Sequence, residues 1–573
     1  MHIGRLYRAL TKHIALPFQN RAEGHVRQLS LGDKFIFGIT IGCTALAAIG
    51  VIGAVRAEVI DTTPAQGGSL TEGVIGAARF VNPVLAISDT DRDLVELIYA
   101  GLMTVDAQGT VVPELAATYD ISPDGRVYTF TLRNDAVFHD GRAITARDVI
   151  FTIEMIQDPA IKSPRLANWD GIQAQALDAQ TVQFTLPEPY APFLENTTIG
   201  ILPEHIWSQV PAEEFPFSQF VVEPIGSGPY EVERIRRDSA GILKEYELRA
   251  FEDYVLGTPY INTVRLVFFG SETDLVRALQ RNDIDSTHSL IPDVTTTHQI
   301  VTAPYTRVFG IFFNQNENPV LSEREVRVAL DTVLDRERII EEVLGGYGQP
   351  LTSPLPFHAQ TQEYTAPEDR ISEGVAILDT NGWDYDTEIR RWSDGDDTSI
   401  SLTLRTSNIP ELQAIAAIAK ENFESIGIPT NVELFAASDL QQNVIRSREY
   451  QSLLFGMVLG RIPDAYAFWH SSQRNDPGLN VAMYANITAD TALERAREAT
   501  DFAEREEHLD TFLGEVAQDV PAVFTHTPEL TYLLPRDMKG VALPALTTSS
   551  DRFSTIHTWY RETEEVWPFL HSK

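Results

Sequence analysis

The residues able to do chemistry do not assemble into a catalytic pattern. The thirteen histidines are scattered singly, and no His-Glu-x-x-His pair is present to hold a metal. His139 stands beside Asp140 in Phe-His-Asp-Gly (138–141), a string that reads as a turn with a hydrogen-bonded imidazole. The stretch nearest to a Gly-x-Ser-x-Gly nucleophile elbow is Ile-Gly-Ser-Gly-Pro-Tyr (225–230), whose spacing is wrong for one. Leu-Gly-Gly-Tyr-Gly-Gln-Pro (344–350) lacks the lysine of a phosphate-binding loop and reads as the end of a helix. The single cysteine, Cys43, lies in an apolar run, which rules out an internal disulfide and a Cys-cluster zinc site. Carboxylate pairs stay open, because spacing alone does not test them.

Composition narrows the class. The chain has 573 residues, enough for roughly three to four domain-sized units. Its 43% apolar and 22% charged residues are those of a globular protein. A formal net charge of −36 repels phosphate backbones, so no nucleic-acid partner is expected. The charge is uneven: residues 1–34 carry six Lys/Arg against Glu23 and Asp33, a net of +4, leaving −40 on the rest. The excess acid argues for solubility, and for a weak preference for cationic ligands.

Next comes an uncharged apolar run of 21 residues, 35–55. About 20 such residues in a helix span a bilayer. Basic residues before it and Glu58 and Asp61 after it put the N-terminus in the cytoplasm and the remainder outside, in the periplasm or extracellular space. A cleaved signal peptide ending at Ala57 and lipidation of Cys43 are the alternatives; the long basic region and the apolar residues after Cys43 favour a retained anchor. Residues 56–68 read as a linker.

The exterior part alternates strand and helix patterns. Residues 127–133 and 181–186 read as strands, the first opened by a Ser-Pro-Asp-Gly turn. Residues 145–156 read as a helix with Thr145 as N-cap and Asp148 three residues on. A strand at 264–269 leads to a helix at 272–282, where Asn282 suits a left-handed cap. Residues 400–404, 411–425 and 430–435 form a strand–helix–strand unit, and 453–460 is a buried run. The fold class is α/β.

Five motifs, in order, resemble the extracellular solute-binding proteins of peptide-type ABC transporters, the oligopeptide- and dipeptide-binding family (family 5). They lie at 82–156, 223–235 (with Gly-Ser-Gly-Pro-Tyr), 251–285, 322–350 and 462–473 (Ile-Pro-Asp-Ala-Tyr-Ala-Phe-Trp-His-Ser-Ser-Gln). The resemblance covers about 70–560. It implies a two-lobed, type II periplasmic-binding-protein-like fold, closing like a flytrap, with an extra inserted domain and one transmembrane helix before it. Domain I would be 69–89, 197–308 and 531–573; domain II, 90–196; domain III, 309–530. No cofactor and no enzymatic activity are implied. The partners would be a peptide or another small solute, such as a nickel chelate, opine or oligosaccharide, and the permease subunits; the protein would act as a monomer. A surface sensor or chaperone using the same fold is the other reading.

The resemblance also places the ligand site. Ile87 and Ser88 would offer main-chain groups in the first lobe. After the run 453–460, Arg461, Asp464, Tyr466, Trp469 and His470 would face the ligand: aromatic rings give rigid contact area, and Asp464 could pair with an amine. Each has a plainer role open to it, with Asp464 a helix cap and Trp469 a core residue. Asn314, near the hinge, suits either a ligand contact or a structural hydrogen bond. Peptide binders of this family often carry an aspartate a few residues before the Pro-Asp pair, for the peptide amine. Here those positions read Val458-Leu459-Gly460-Arg461, so either Asp464 takes that role or Arg461 holds a carboxylate.

Overall fold

The apolar run forms a helix, Leu31–Val59, in the computed structural model, which describes residues 30–59, 61–288, 298–356, 366–388, 390–394, 398–499 and 501–566. The helix is long and apolar enough to cross a membrane. Its two internal threonines return their hydroxyls to the backbone, Thr40 to the Ile36 carbonyl at 2.9 Å and Thr44 to the Thr40 carbonyl at 2.8 Å. Such internal bonding suits a surrounding that offers no water. Within the stretch 56–68, expected as a linker, the helix runs on to Val59, and Asp61–Ala65 is a strand paired with Glu562–Val566. The partner strand begins 501 positions later, so local composition could not announce the pairing. These elements belong to one compact unit, 1–65 with 563–573; residues 66–562 form a second.

The second unit is built on a mixed sheet of twelve strands. At one end, Leu402–Ser407 lies parallel to Thr430–Phe435 and to Ser452–Val458. The connecting helix Pro410–Ser425 completes the expected strand–helix–strand unit. The first strand starts two residues later than its pattern suggests, because Ile400 is held by a backbone bond to Trp392. At the other end, Ser69–Ile75 runs parallel to Thr263–Phe269, which continues antiparallel into Leu243–Ala250 and Tyr230–Arg237.

One 14-residue strand, Ala522–Pro535, belongs to both halves. Its first part pairs with Arg307–Phe313 and its second with His298–Pro304, through registers such as Phe312↔Ala522 and Val301↔Tyr532. The chain therefore passes between the halves twice, near Thr306 and near Thr527. Two adjacent extended segments are the kind of joint that lets lobes rock. Side chains alternate across the sheet as a strand requires: Ile311 and Phe313 enter one apolar core with Phe423, while Val308 and Phe312 enter another with Trp469.

A separate four-stranded sheet orders Ala116–Ile121, Val127–Leu132, Thr181–Thr185 and Gln173–Ala176. The helix Ala146–Gln157 begins as expected: the Asp148 carboxylate accepts from the Thr145 amide at 2.9 Å and hydroxyl at 2.8 Å. The helix Glu272–Gln280 ends with Asn282 left-handed, at φ 57°.

Candidate functional site

A cavity of about 490 Å³ opens inside the larger unit. Five segments wall it: the helix Asp89–Ile98, the stretches around 165–169 and 190–200, the loop after Ser452–Val458, and residues 547–551. Ser88 sets the helix, its hydroxyl accepting from the Asp91 amide at 3.1 Å while Asp91 accepts from the Ser88 amide at 3.2 Å. The glycines of Gly-Ser-Gly-Pro-Tyr lie against the end of that helix. A Cβ on Gly226 would stand 2.1 Å from the Ile98 carbonyl oxygen, and the Gly228 amide donates to that oxygen at 2.8 Å. The motif is thus a close backbone approach beside Tyr99, which lines the cavity.

Arg461 is locked in place. Its Nη1 meets Glu195 at 3.4 Å, its Nη2 meets Asp551, and its Nε donates to the Ala545 carbonyl at 3.2 Å. The Arg461 and Ile462 amides also donate to the Glu195 carboxylate, at 3.1 and 3.3 Å. Gly460 makes this nest possible with a φ of +78°. Burial would raise the Asp551 carboxyl, but Arg461 and bonds from Thr547 and Thr548 hold it below its ordinary value. Glu195 is raised by burial despite Arg461. The clasp joins three segments far apart in sequence.

Asp464 is also engaged. It stands one residue before Ala465, which is the N-cap of the helix Tyr466–Trp469, accepts from the Tyr466 amide at 3.3 Å and pairs with Arg497 at 2.8 Å. Arg497 in turn lies over the rings of Tyr466 and Tyr190, at 4.5 and 5.0 Å. Of the expected site residues, Arg461 and Asp464 line the cavity. The remaining six do not. Tyr466 stacks on His470 at 4.1 Å, and His470 bonds Ser472 at 2.7 Å and faces Glu494 at 3.3 Å. Trp469 is fully buried against Phe312, Tyr484, Phe512 and Phe524. Asn314 is 1% exposed and donates to the Arg448 carbonyl, a structural bond. Ile87 is exposed, and Ser88 caps the helix.

Other residues complete the wall: Arg92, Glu96, Arg165, Tyr190, Glu195 and Asp551. Arg92 and Glu96 sit one turn apart on one helix, a spacing visible in the sequence. The others come from separate segments and had no local signal. Burial, with Asp551 and Glu114 nearby, pushes the Glu96 carboxyl up to about 8. Deeper in, burial raises Glu114 to about 7, although Tyr254 and the Gly101 amide donate to it at 2.7 and 2.9 Å. Among the described residues, no group of three or more His, Cys, Asp and Glu side chains could hold a metal.

Two half-sheets joined by paired strands, with a polar cavity beside them, are an arrangement suited to holding a solute. The chain belongs to the bacterial extracellular solute-binding proteins, family 5, whose middle region matches residues 110–479. Members of this family serve ABC transporters as binding proteins and are not enzymes. The oligopeptide-binding protein AppA of Bacillus subtilis is 28% identical over 493 residues, covering 83% of this chain and 89% of AppA. The structure of that AppA with a nonapeptide superposes with a TM-score of 0.63 at 25% identity, over 87% of this chain and 99% of that one. NikZ of Campylobacter jejuni, in complex with Ni(L-His), shares the fold with a TM-score of 0.65 at 24% identity, over 86% of this chain and 99% of NikZ.

Proposed function

We propose that this protein captures short peptides in the cavity and delivers them to an ABC permease for import, held at the cell surface by its N-terminal helix. The cavity carries the reading. About 490 Å³ beside the two strand crossings is within the ~300–1,000 Å³ of small-ligand sites, and the crossings offer a hinge for closure. The name of the AppA relative supports a peptide as the ligand. The helix Leu31–Val59, with basic residues before it, supports a single-pass anchor with the N-terminus in the cytoplasm and the binding unit outside. The protein would work as a monomer, divided into the three domains expected from the sequence. Closure on the ligand is a shift between two states, and the permease would read the closed one.

The test is retention. Full-length protein in detergent is incubated with a mixed peptide library, and what stays bound is identified by mass spectrometry. Short peptides are expected. Retention of a nickel chelate or an opine in their place would overturn the peptide reading while leaving the fold untouched. Intact mass from membrane fractions tests the anchor: the full-length value is expected, and a mature N-terminus at Glu58 would sink it.

A further inference from the structure

A second cavity, of about 270 Å³, adjoins the first and shares Val458 with it. It opens past the carboxyl ends of the parallel strands Leu402–Ser407 and Ser452–Val458, a place where open α/β sheets hold ligands. Its chemistry is the opposite of the first. Phe309, Leu412, Leu440, Ile445, Phe455 and Met457 wall it. Among its described lining residues only Arg307 is charged, and that guanidinium lies over the Tyr305 ring at 4.2 Å. The first cavity, by contrast, is lined by seven charged side chains. The apolar floor is held in place. A Cβ on Gly456 would stand 2.5 Å from the Phe309 ring, so glycine lets that ring settle across the neighbouring strand. The same ring stacks on the His526 imidazole at 4.7 Å, with the planes 5° apart. The rim is apolar as well: Ile409 and Val458 are 48% and 49% exposed. Contiguous apolar surface left open to water beside a polar cavity marks a place for an apolar group.

We infer that this second cavity takes a bulky apolar side chain of the ligand, aromatic or branched aliphatic, while the charged cavity holds the polar remainder, so that the protein selects peptides with such a residue at one position. This deepens the peptide reading above and rests on it for the identity of the side chain's carrier. Continuity through Val458 lets one solute reach both cavities. Walls already fixed by packing lose little freedom when the side chain enters. A hollow that received the first lobe on closure, in place of a ligand group, would show no side-chain preference.

The test offers three sets of tripeptides, Xaa-Ala-Ala, Ala-Xaa-Ala and Ala-Ala-Xaa, to the full-length protein in lipid nanodiscs, where no detergent competes for apolar sites. Xaa is Phe, Trp, Leu, Ile, Gly, Ser, Asp or Lys. Mass spectrometry of the retained material should show, in one set, the bulky apolar residues enriched at least about tenfold over Gly and Ser, as expected when a large side chain leaves water. Ala437→Trp, at an exposed position on the lining, fills the hollow and should cut that enrichment below about twofold while the Gly and Ser peptides are retained as before. Should that variant fail to fold, Ile409→Asp puts a charge on the exposed rim and should cut the preference in the same way. Absence of a preference in every set overturns the inference, and so does a folded variant that keeps the preference of the wild type. If no tripeptide is retained, the peptide reading falls, and the hollow is probed with indole by ligand-observed NMR. Binding to the wild type that is lost in Ala437→Trp supports the inference for another solute; equal or absent binding overturns it.

Discussion

Replacing Arg461 with methionine should destabilise the protein, and the clasp around it says by how much. The Arg461, Glu195 and Asp551 side chains are only 7%, 18% and 13% exposed, so removing the cation leaves two carboxylates unpaired in a poorly solvated place. Breaking a buried pair in this way costs about 3–5 kcal/mol. Water in the adjoining cavity relieves part of that, so a loss of ~3 kcal/mol is expected. The triple variant Arg461→Met, Glu195→Gln, Asp551→Asn removes every charge and should recover most of the loss, because a whole buried ion cluster is often worth little net. The single variant's defect should also shrink as the pH falls from 7 towards 4, since its stranded carboxylates take up protons more readily than those of the unfolded chain. Chemical and thermal unfolding of the full-length protein in detergent measure all three. A single variant within ~1 kcal/mol of wild type, or a triple variant no better than the single, would refute the idea that this clasp holds the lobes by paired charge.

Glu114, held at about 7 against an ordinary 4.5, binds its proton more tightly folded than unfolded. The stability it contributes is full below about 4.5 and is lost as the pH rises to about 7; the change is roughly 3 kcal/mol. Glu114→Gln should flatten that slope in a pH series of unfolding curves. Gly226→Ala should cost about 1–3 kcal/mol, because its Cβ would lie 2.1 Å from the Ile98 carbonyl oxygen and neither backbone yields freely. Trp469→Ala should cost about 3–5 kcal/mol in thermal unfolding while changing ligand affinity in the folded protein by less than about twofold; a selective loss of affinity would return Trp469 to the site. An anionic ligand should associate faster as salt rises, since the net −40 outside the first 34 residues repels it until screened; stopped-flow rates that fall with salt would contradict this.

The features legible in the sequence are those written locally. Thr145 and Asp148 announce a helix start three residues apart, and Asn282 marks the end of another helix, Glu272–Gln280, by tolerating φ 57°. Alternating apolar residues gave Val127–Leu132 and Thr181–Thr185 as strands. Motif order gave the family, and the Pro-Asp loop led to Arg461 and Asp464 on the cavity wall. Features that depend on distant partners were hidden. Glu195 and Arg461 are 266 positions apart, and nothing near either names the other. An aromatic run such as Tyr466–Trp469 looks the same whether it faces a ligand or a core; in the folded chain Trp469 turns inward, where four rings surround it.

The distribution of charge partners separates the residues that build the cavity from those left for a ligand. Arg461, Glu195, Asp551, Asp464 and Arg497 are paired with one another, and each contact crosses between segments whose relative placement shapes the wall. A ligand that used these groups would have to break bonds as good as those it formed, so they add little to affinity.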